Sequence, residues 1–312
     1  MKFLEKITGF SECKKYGISL WQCPSFLFLI LGQITIALIL LSFAILSKFI
    51  QEEEIVALIV LLIAAILLVL SFIITNSFER LAQANRMKTE FVNIVSHQLR
   101  SPLSNIKWAL ELLMSGRIGE VKPEQLEYFK ILKENSDRMG SLIKDLLIVA
   151  KIESAKLSVK KDFFSLEDLT KKIIKEFEPF AKASNIEIQF SFEENLPKVY
   201  ANEQQIREVI ENLLENAIRY TIGKGLVKIK IRKDKNKIFF EIEDNGVGIP
   251  KEEQKFIFQK FFRASNVLKY QTQGTGLGLY ISKQIIEKSG GKIGFSSQEG
   301  KGSKFWFFLP IK

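Results

Sequence analysis

Two blocks of almost unbroken apolar side chains lie near the start of the chain. Ser25–Leu46 is interrupted by Gln33 and scattered Ser and Thr, and Ile55–Thr75 is almost wholly apolar. A helix rises 1.5 Å per residue, so about 20 residues cross the hydrocarbon core, and both blocks are long enough. Ser47–Glu54 carries Lys48, Glu52, Glu53 and Glu54 and is short enough only for a hairpin. Lys2, Lys6, Lys14 and Lys15 precede the first block, and Arg80, Arg86 and Lys88 follow the second. Basic flanks at both outer ends predict a multi-pass protein of the cell membrane, with both termini cytoplasmic. The length and late start of the first block, and its want of a small-residue cleavage site, set it apart from a signal peptide.

After Thr75 the pattern becomes helical. Val92, Val95, Leu99, Leu103, Ile106, Leu110 and Leu113 recur at three- and four-residue steps and form one stripe. Ser115–Pro123, with two glycines and a proline, reads as a turn. A second helix from Pro123 aligns Leu126, Phe129, Leu132, Met139, Ile143, Leu146 and Ala150. Two helices with one narrow seam each cannot bury it alone, which predicts a homodimer closing a four-helix bundle.

From about Ser165 helices mix with alternating strands. The pattern predicts helices over Leu166–Ala183 and Asn202–Tyr220, and another from near Gly278. Strands are expected over Ile186–Phe192, Leu226–Arg232, Lys237–Glu243, Lys292–Ser296 and Ser303–Leu309. The class is α+β, a helix-on-sheet sandwich with a largely antiparallel sheet. Val267–Gln273 has little apolar pattern and reads as a lid. The expected domains are a cytoplasmic N-terminal segment (1–24), a transmembrane hairpin (25–75, spans 25–46 and 55–75), a helical domain (76–155) and the sandwich (156–312).

Charge changes this picture little. The net charge is +10; residues 1–75 balance, and the excess sits in 156–312, with 28 basic against 20 acidic side chains. No block of like charge forms an arm, so nucleic acid is not an expected partner. A basic surface suits an anionic ligand, anionic lipid or an acidic partner. Cys13 and Cys23 make no disulfide framework, and with a single histidine there is no zinc-ligand set.

That histidine is His97, in Ser96-His97-Gln98-Leu99-Arg100-Ser101-Pro102. It lies two positions from both Val95 and Leu99, about 200° around the helix from each, and so points away from the seam. With a pKa near 6.5, a neutral imidazole offers a lone pair at neutral pH and can attack phosphorus without prior deprotonation. Pro102 lacks an N–H and is expected to bend the helix.

Asp244-Asn245-Gly246-Val247-Gly248-Ile249-Pro250 closes a strand with a carboxylate and two glycines, which suits a ligand that approaches the backbone closely. Asp244 is placed to accept from an adenine amino group. Gly274-Thr275-Gly276-Leu277-Gly278-Leu279 opens a helix whose free N–H groups suit phosphate oxygens. It is neither the dinucleotide fingerprint nor a Walker loop. Asn212 and Asn216 are four apart on one helical face. Asn216 offers an oxygen to Mg²⁺, Arg219 a charge to phosphate and Tyr220 a flank for the base.

Taken in order, these elements resemble the boxes of the bacterial two-component sensor histidine kinases. His97–Leu103 is similar to the histidine box, Asn212–Tyr220 to the asparagine box, Asp244–Pro250 to the first glycine box, Phe258–Arg263 (Phe-Gln-Lys-Phe-Phe-Arg) to the phenylalanine box and Gly274–Leu279 to the second glycine box. The resemblance spans about Met87–Leu309. It implies a dimerisation and phosphoacceptor domain followed by an ATP-binding domain of the type shared with DNA gyrase. It also implies ATP and Mg²⁺ as cofactors, with His97 as phosphoacceptor and a receiver-domain aspartate of a response regulator as partner. By resemblance, Gln98 and Ser101 flank the chemistry, Asn216 holds the metal and Asp244 reads adenine. Gly246, Gly248, Gly276 and Gly278 contact nucleotide, with Asn212, Arg219, Tyr220, Arg263, Thr275 and Leu277 around them. Three positions depart from the family. Gln98 stands where Glu or Asp is frequent, Ser101 where Thr or Asn is frequent, and Asn202 where Asp is frequent.

Two rivals remain at this point: an ATPase of the gyrase or chaperone kind, and a non-catalytic membrane scaffold with a degenerate kinase domain. A histidine off the seam before Arg-Ser-Pro argues against the first. Intact Asn216, Asp244 and both glycine loops argue against the second. So few residues separate the second span from His97 that the hairpin itself, the bilayer or a membrane partner is the expected input.

Overall fold

The computed structural model describes residues 24–153, 160–268 and 274–311. Most of the expected N-terminal segment and most of the expected lid, Val267–Gln273, lie outside the described residues. The described residues divide into two compact units, residues 24–95 with 150–153, and residues 96–149 with 160–268 and 274–311.

In the first unit the apolar blocks become helix α1 (Pro24–Phe49) and the first part of helix α2 (Glu53–Met114). Leu29–Phe49 and Glu53–Leu81 are long and apolar enough to cross a membrane. Thr35 and Val56 are buried, and Ile39, Ser42 and Leu46 are half-buried along the same side of α1 as Thr35. The second block has no helix end at Thr75, because 62 residues continue as one α-helix. The expected bend at Pro102 is not a break either. A proline removes a single N–H, here the bond to the Gln98 carbonyl, and the helix continues on both sides of it. Helix α3 (Pro123–Glu153) ends in this unit, where Lys88 and Glu153 pair at 3.3 Å.

In the second unit Ser96–Met114 of α2 lies beside Pro123–Val149 of α3. Lys107 donates to Asp137 at 2.8 Å, and Gly140 faces the side chain of Leu103. Leu110 and Val149 are buried, yet Leu99 is 49% and Ile106 48% exposed, as are Leu132 and Met139 on α3. The stripes are therefore only partly covered by their own chain.

The sandwich begins with strand β1 (Asp162–Phe164), which pairs antiparallel with β3 (Val199–Ala201). The sequence pattern missed this pair, since three residues are too few to show alternation. Helix α4 (Leu166–Ala183) starts at Ser165, whose hydroxyl accepts from the Asp168 N–H at 3.1 Å. Strand β2 (Ile186–Phe192) follows. Helix α5 (Glu203–Arg219) starts at Asn202, whose Oδ1 accepts from the Gln205 N–H at 2.8 Å. The Asn202 amide also donates to the Lys160 carbonyl at 3.0 Å, a bond that Asp could not make. Strands β4 (Gly225–Asp234) and β5 (Lys237–Asp244), the short helix α6 (Ser265–Leu268), helix α7 (Gly278–Lys288) and strands β6 (Lys292–Gln298) and β7 (Gly302–Pro310) complete it.

The main sheet runs β2-β4-β5-β7-β6. It is antiparallel as expected, except that β2 pairs parallel with β4. A parallel pair needs a crossover, and β3 with α5 supplies it. One sheet face carries Val227, Ile229, Ile231, Ile238, Phe240, Ile242 and Phe307, all buried. Phe240 and Phe307 stack at 4.8 Å. The apolar sides of α5 (Ile206, Ile210, Leu213, Leu214) and α7 (Ile285, Ile286) are buried likewise. Each Å² of apolar surface buried in this layer contributes about 25 cal/mol to holding the helices on the sheet.

Candidate functional site

Where β5 ends, the α5 C-terminus and the loop before α7 enclose, with one side of α3, a cavity of about 570 Å³. Asp244, the last residue of β5, is 8% exposed. Its Oδ1 accepts from the Gly246 N–H at 2.9 Å and the Ser303 N–H at 3.1 Å. Burial pushes its carboxyl up to about 6, while those two N–H groups and their bonds pull the other way. Both bonds fall on one oxygen, which leaves Oδ2 for a donor in the cavity.

The glycines of the first loop owe their identity to backbone contact. A Cβ on Gly246 would lie 2.3 Å from the Tyr220 carbonyl oxygen. One on Gly248, at φ +64°, would lie 2.0 Å from that of Gln298. Gly248 lines the cavity, whereas Gly246 stands behind it, holding the loop against the end of α5. The Val247 N–H bonds the Tyr220 carbonyl at 3.0 Å in the same contact.

On α5 the two asparagines differ. The Asn212 amide donates to the Ser282 hydroxyl on α7 at 3.0 Å, and its Oδ1 would meet a Cβ on Gly278 at 2.1 Å. Asn212 thus fastens α5 to the start of α7, and Gly278 is small because Asn212 is there. Asn216 donates to Asn212 Oδ1 at 3.4 Å, a long bond, and keeps its own Oδ1 free to point at a hard cation. Arg219 is paired with Glu215. Tyr220 is largely buried, which raises its hydroxyl pKa, and the nearby Arg263 and Arg219 oppose that shift. A Cβ on Gly274 would lie 3.7 Å from Arg263 Nε and 3.9 Å from the Tyr220 hydroxyl, so these three share one corner.

In the second loop Gly276, at φ +69°, lets the chain pass the Phe261 backbone, which a Cβ would meet at 2.7 Å. Leu277 is buried and faces the core, and its N–H bonds the Thr275 hydroxyl at 3.1 Å. That hydroxyl donates in turn to Asp145 Oδ2 on α3 at 2.8 Å. Burial raises the Asp145 carboxyl pKa, and the Thr275 bond opposes it. The sequence reading passed over Asp145; its one signal was a carboxylate beside Leu146 on the apolar side of α3. Ser303 was missed too, because it acts through its backbone N–H, which no side-chain pattern reports.

Asp244, Asn212, Asn216, Arg219, Tyr220, Gly248, Arg263, Thr275, Gly276 and Gly278 therefore share one cavity. His97, Gln98 and Ser101 are not part of it. They lie together on α2, all exposed, with Ser101 one turn beyond His97.

The chain matches two family models: a His Kinase A (phospho-acceptor) domain over residues 87–155, and a histidine kinase-, DNA gyrase B- and HSP90-like ATPase over residues 201–312. It is 32% identical over 233 residues to the circadian input-output histidine kinase CikA of Synechococcus elongatus, covering 74% of this chain and 31% of that one. It is 34% identical over 252 residues to the adaptive-response sensory kinase SasA of Synechocystis, covering 77% and 63%. Among solved structures it is similar to full-length ShkA in complex with AMPPNP, with a TM-score of 0.60 and 28% identity, covering 71% of this chain and 45% of that one. The chain thus spans under two thirds of the length of these relatives.

Proposed function

We infer that this chain, which belongs to the bacterial two-component sensor histidine kinases, transfers the γ-phosphoryl group of Mg·ATP to its own His97 and then to a response-regulator aspartate. The observation that carries the reading is one cavity shared by a buried carboxylate, Asn216 and the glycine loop before α7. Residues 156–312 form the ATP-binding domain in this reading, residues 76–155 the dimerisation and phosphoacceptor domain, and residues 25–75 the membrane anchor. The apolar stripes left exposed at Leu99, Ile106, Leu132 and Met139 suit a second copy of the chain. Both termini lie in the cytoplasm, by the basic flanks.

Asp244 Oδ2 accepts from the adenine amino group, with Oδ1 held by the Gly246 and Ser303 N–H groups. The loop N–H groups before α7, with Arg263, take the phosphates. Asn216 Oδ1 would hold Mg²⁺, which neutralises phosphate charge when bound. His97 has only to present its ring. One imidazole nitrogen bonds to the γ-phosphorus, the bond from phosphorus to the ADP oxygen breaks, and ADP leaves. Phosphoryl transfer proceeds through a loose transition state, so positioning and charge neutralisation do most of the work. The phosphohistidine then gives its phosphoryl group to a carboxylate of the receiver domain.

ATP labelled at the γ-phosphorus tests this. Label on the chain supports the kinase. Free phosphate without labelled chain indicates an ATPase, and neither indicates a scaffold.

Gln98→Glu is expected to raise the autophosphorylation rate. As one ring nitrogen bonds to phosphorus, the other N–H becomes acidic, and a carboxylate beside it stabilises or takes that proton. General-base help reaches about 10²–10⁴-fold when fully realised. The gain here should stay near tenfold or below, because a neutral imidazole is already nucleophilic. Single-turnover labelling between pH 6 and 9 checks it, and a slower variant at every pH would refute the role given to Gln98.

Asp244→Asn is expected to separate stability from binding. A carboxyl raised from 3.8 to about 6 on folding holds more protons folded than unfolded between those pH values. Stability therefore falls as pH rises through that window, with the full penalty, on the order of 3 kcal/mol, present above pH 6. Asn has no charge to desolvate and can still accept both N–H bonds. The variant should melt at or above the wild-type temperature at pH 8, yet bind AMPPNP at least about tenfold more weakly. Wild-type affinity should itself weaken as pH drops below 6. Calorimetric titration at pH 5.5 and 8 reads both.

A further inference from the structure

We propose that Gln33, within the first span, is a contact between two copies of the chain inside the bilayer. This rests on the membrane reading of α1 and α2 above. On α1 the described hydroxyls are satisfied within the helix: Thr35 donates to the Leu31 carbonyl at 2.7 Å, Ser42 to that of Ile39 at 2.8 Å and Ser47 to that of Ala44 at 3.3 Å. Gln33 is different. Its side chain is exposed and has no hydrogen-bond partner among the described residues. In hydrocarbon no water would satisfy its two N–H donors and its carbonyl, so the amide must find a protein partner or stay unpaired at considerable cost.

The helix has two distinct sides. Thr35, Ile39, Ser42 and Leu46, buried or half-buried, mark the side that the chain itself covers. Gln33 is two residues from Thr35, hence about 200° away around the helix. Its own side continues through Ala37, Leu40 and Ala44, all exposed. This spacing of four, three and four residues is that of a helix seam. The two alanines allow a second helix to approach closely at 37 and 44.

The occupant is another α1. A primary amide carries both a donor and an acceptor, so two Gln33 side chains related by a two-fold axis exchange a pair of hydrogen bonds. The proposed function calls for the same partner elsewhere. Helix α2 carries both the second span and the stripe with Leu99 and Ile106, left exposed for a second copy. A dimer at that stripe would bring two hairpins to one place in the membrane, and Gln33 would fix which side of α1 faces inward.

The test uses the full chain in its native membranes, with Cys13→Ser and Cys23→Ser. Single cysteines are placed at 37, 40 and 44, and at 35, 39, 42 and 46, and oxidised with copper phenanthroline. Disulfide-linked dimers should peak in the first set. In the Ala37→Cys chain, Gln33→Leu should cut cross-linking about threefold or more, and Gln33→Asn should preserve it. A maximum in the second set, equal yields around the helix, or no effect of Gln33→Leu would overturn the inference. Alkaline carbonate washing of the same membranes keeps the two readings apart. Release of the chain would overturn the membrane reading itself, whereas retention without the cross-linking pattern would overturn only the role of Gln33.

Discussion

His97→Ala is expected to take phosphoryl incorporation from ATP to zero while leaving nucleotide affinity unchanged. The chain has one histidine, so no second imidazole can substitute. His97 is exposed on α2, where no core contact depends on it. Alanine is the best helix former, so the replacement should not weaken α2. The cavity that would hold the nucleotide is lined by α3, α5, α7 and the loops around them, with no contribution from His97. Binding and chemistry should therefore come apart in this one variant. Acid-labile, alkali-stable label on the chain, measured beside AMPPNP binding, reads both. Such label surviving in the variant would overturn the assignment of the phosphoacceptor.

Asn216→Ala is expected to lower autophosphorylation by at least about 100-fold, the scale of losing one preorganised electrostatic contact in a transition state. The domain should stay folded. Asn216 is only partly buried, and its described bond, 3.4 Å to Asn212 Oδ1, is long and contributes little. Asn212 keeps its stronger bond to Ser282, so α5 and α7 stay fastened. Removing an amide held this loosely should shift the melting temperature little. Raising Mg²⁺ should recover part of the rate in the variant, since a weakened site fills at higher concentration. A stable variant with the wild-type rate would show that another group holds the metal. Asn212→Ala makes the informative contrast: it should lower stability and activity together, because that amide braces the framework.

The comparison of these two asparagines shows how much of the site was legible in the amino-acid order. Their spacing placed both on one face of a helix, and both do line the cavity. Spacing could not tell the brace from the free amide. That depends on Ser282 and Gly278, some seventy residues later. Asp244 was readable as a carboxylate at a strand end, but its raised pKa was not. The rise comes from burial, and the N–H of Ser303, which sheet pairing alone brings opposite Asp244, opposes it.

The sequence by itself determined the elements with strong periodicity: two membrane-length helices, the stripes of α2 and α3, the alternating strands, and the exposed position of His97. These follow from local rules, since 3.6-residue and two-residue periods and the reach of a helix across a bilayer act within a short stretch of chain. Only the tertiary structure decided the parallel pairing of β2 with β4, the short β1–β3 ladder, the duties of the glycines and the link from Thr275 to Asp145. Each of those depends on which distant backbone or side chain comes within about 3 Å, and a one-dimensional pattern carries no term for that distance.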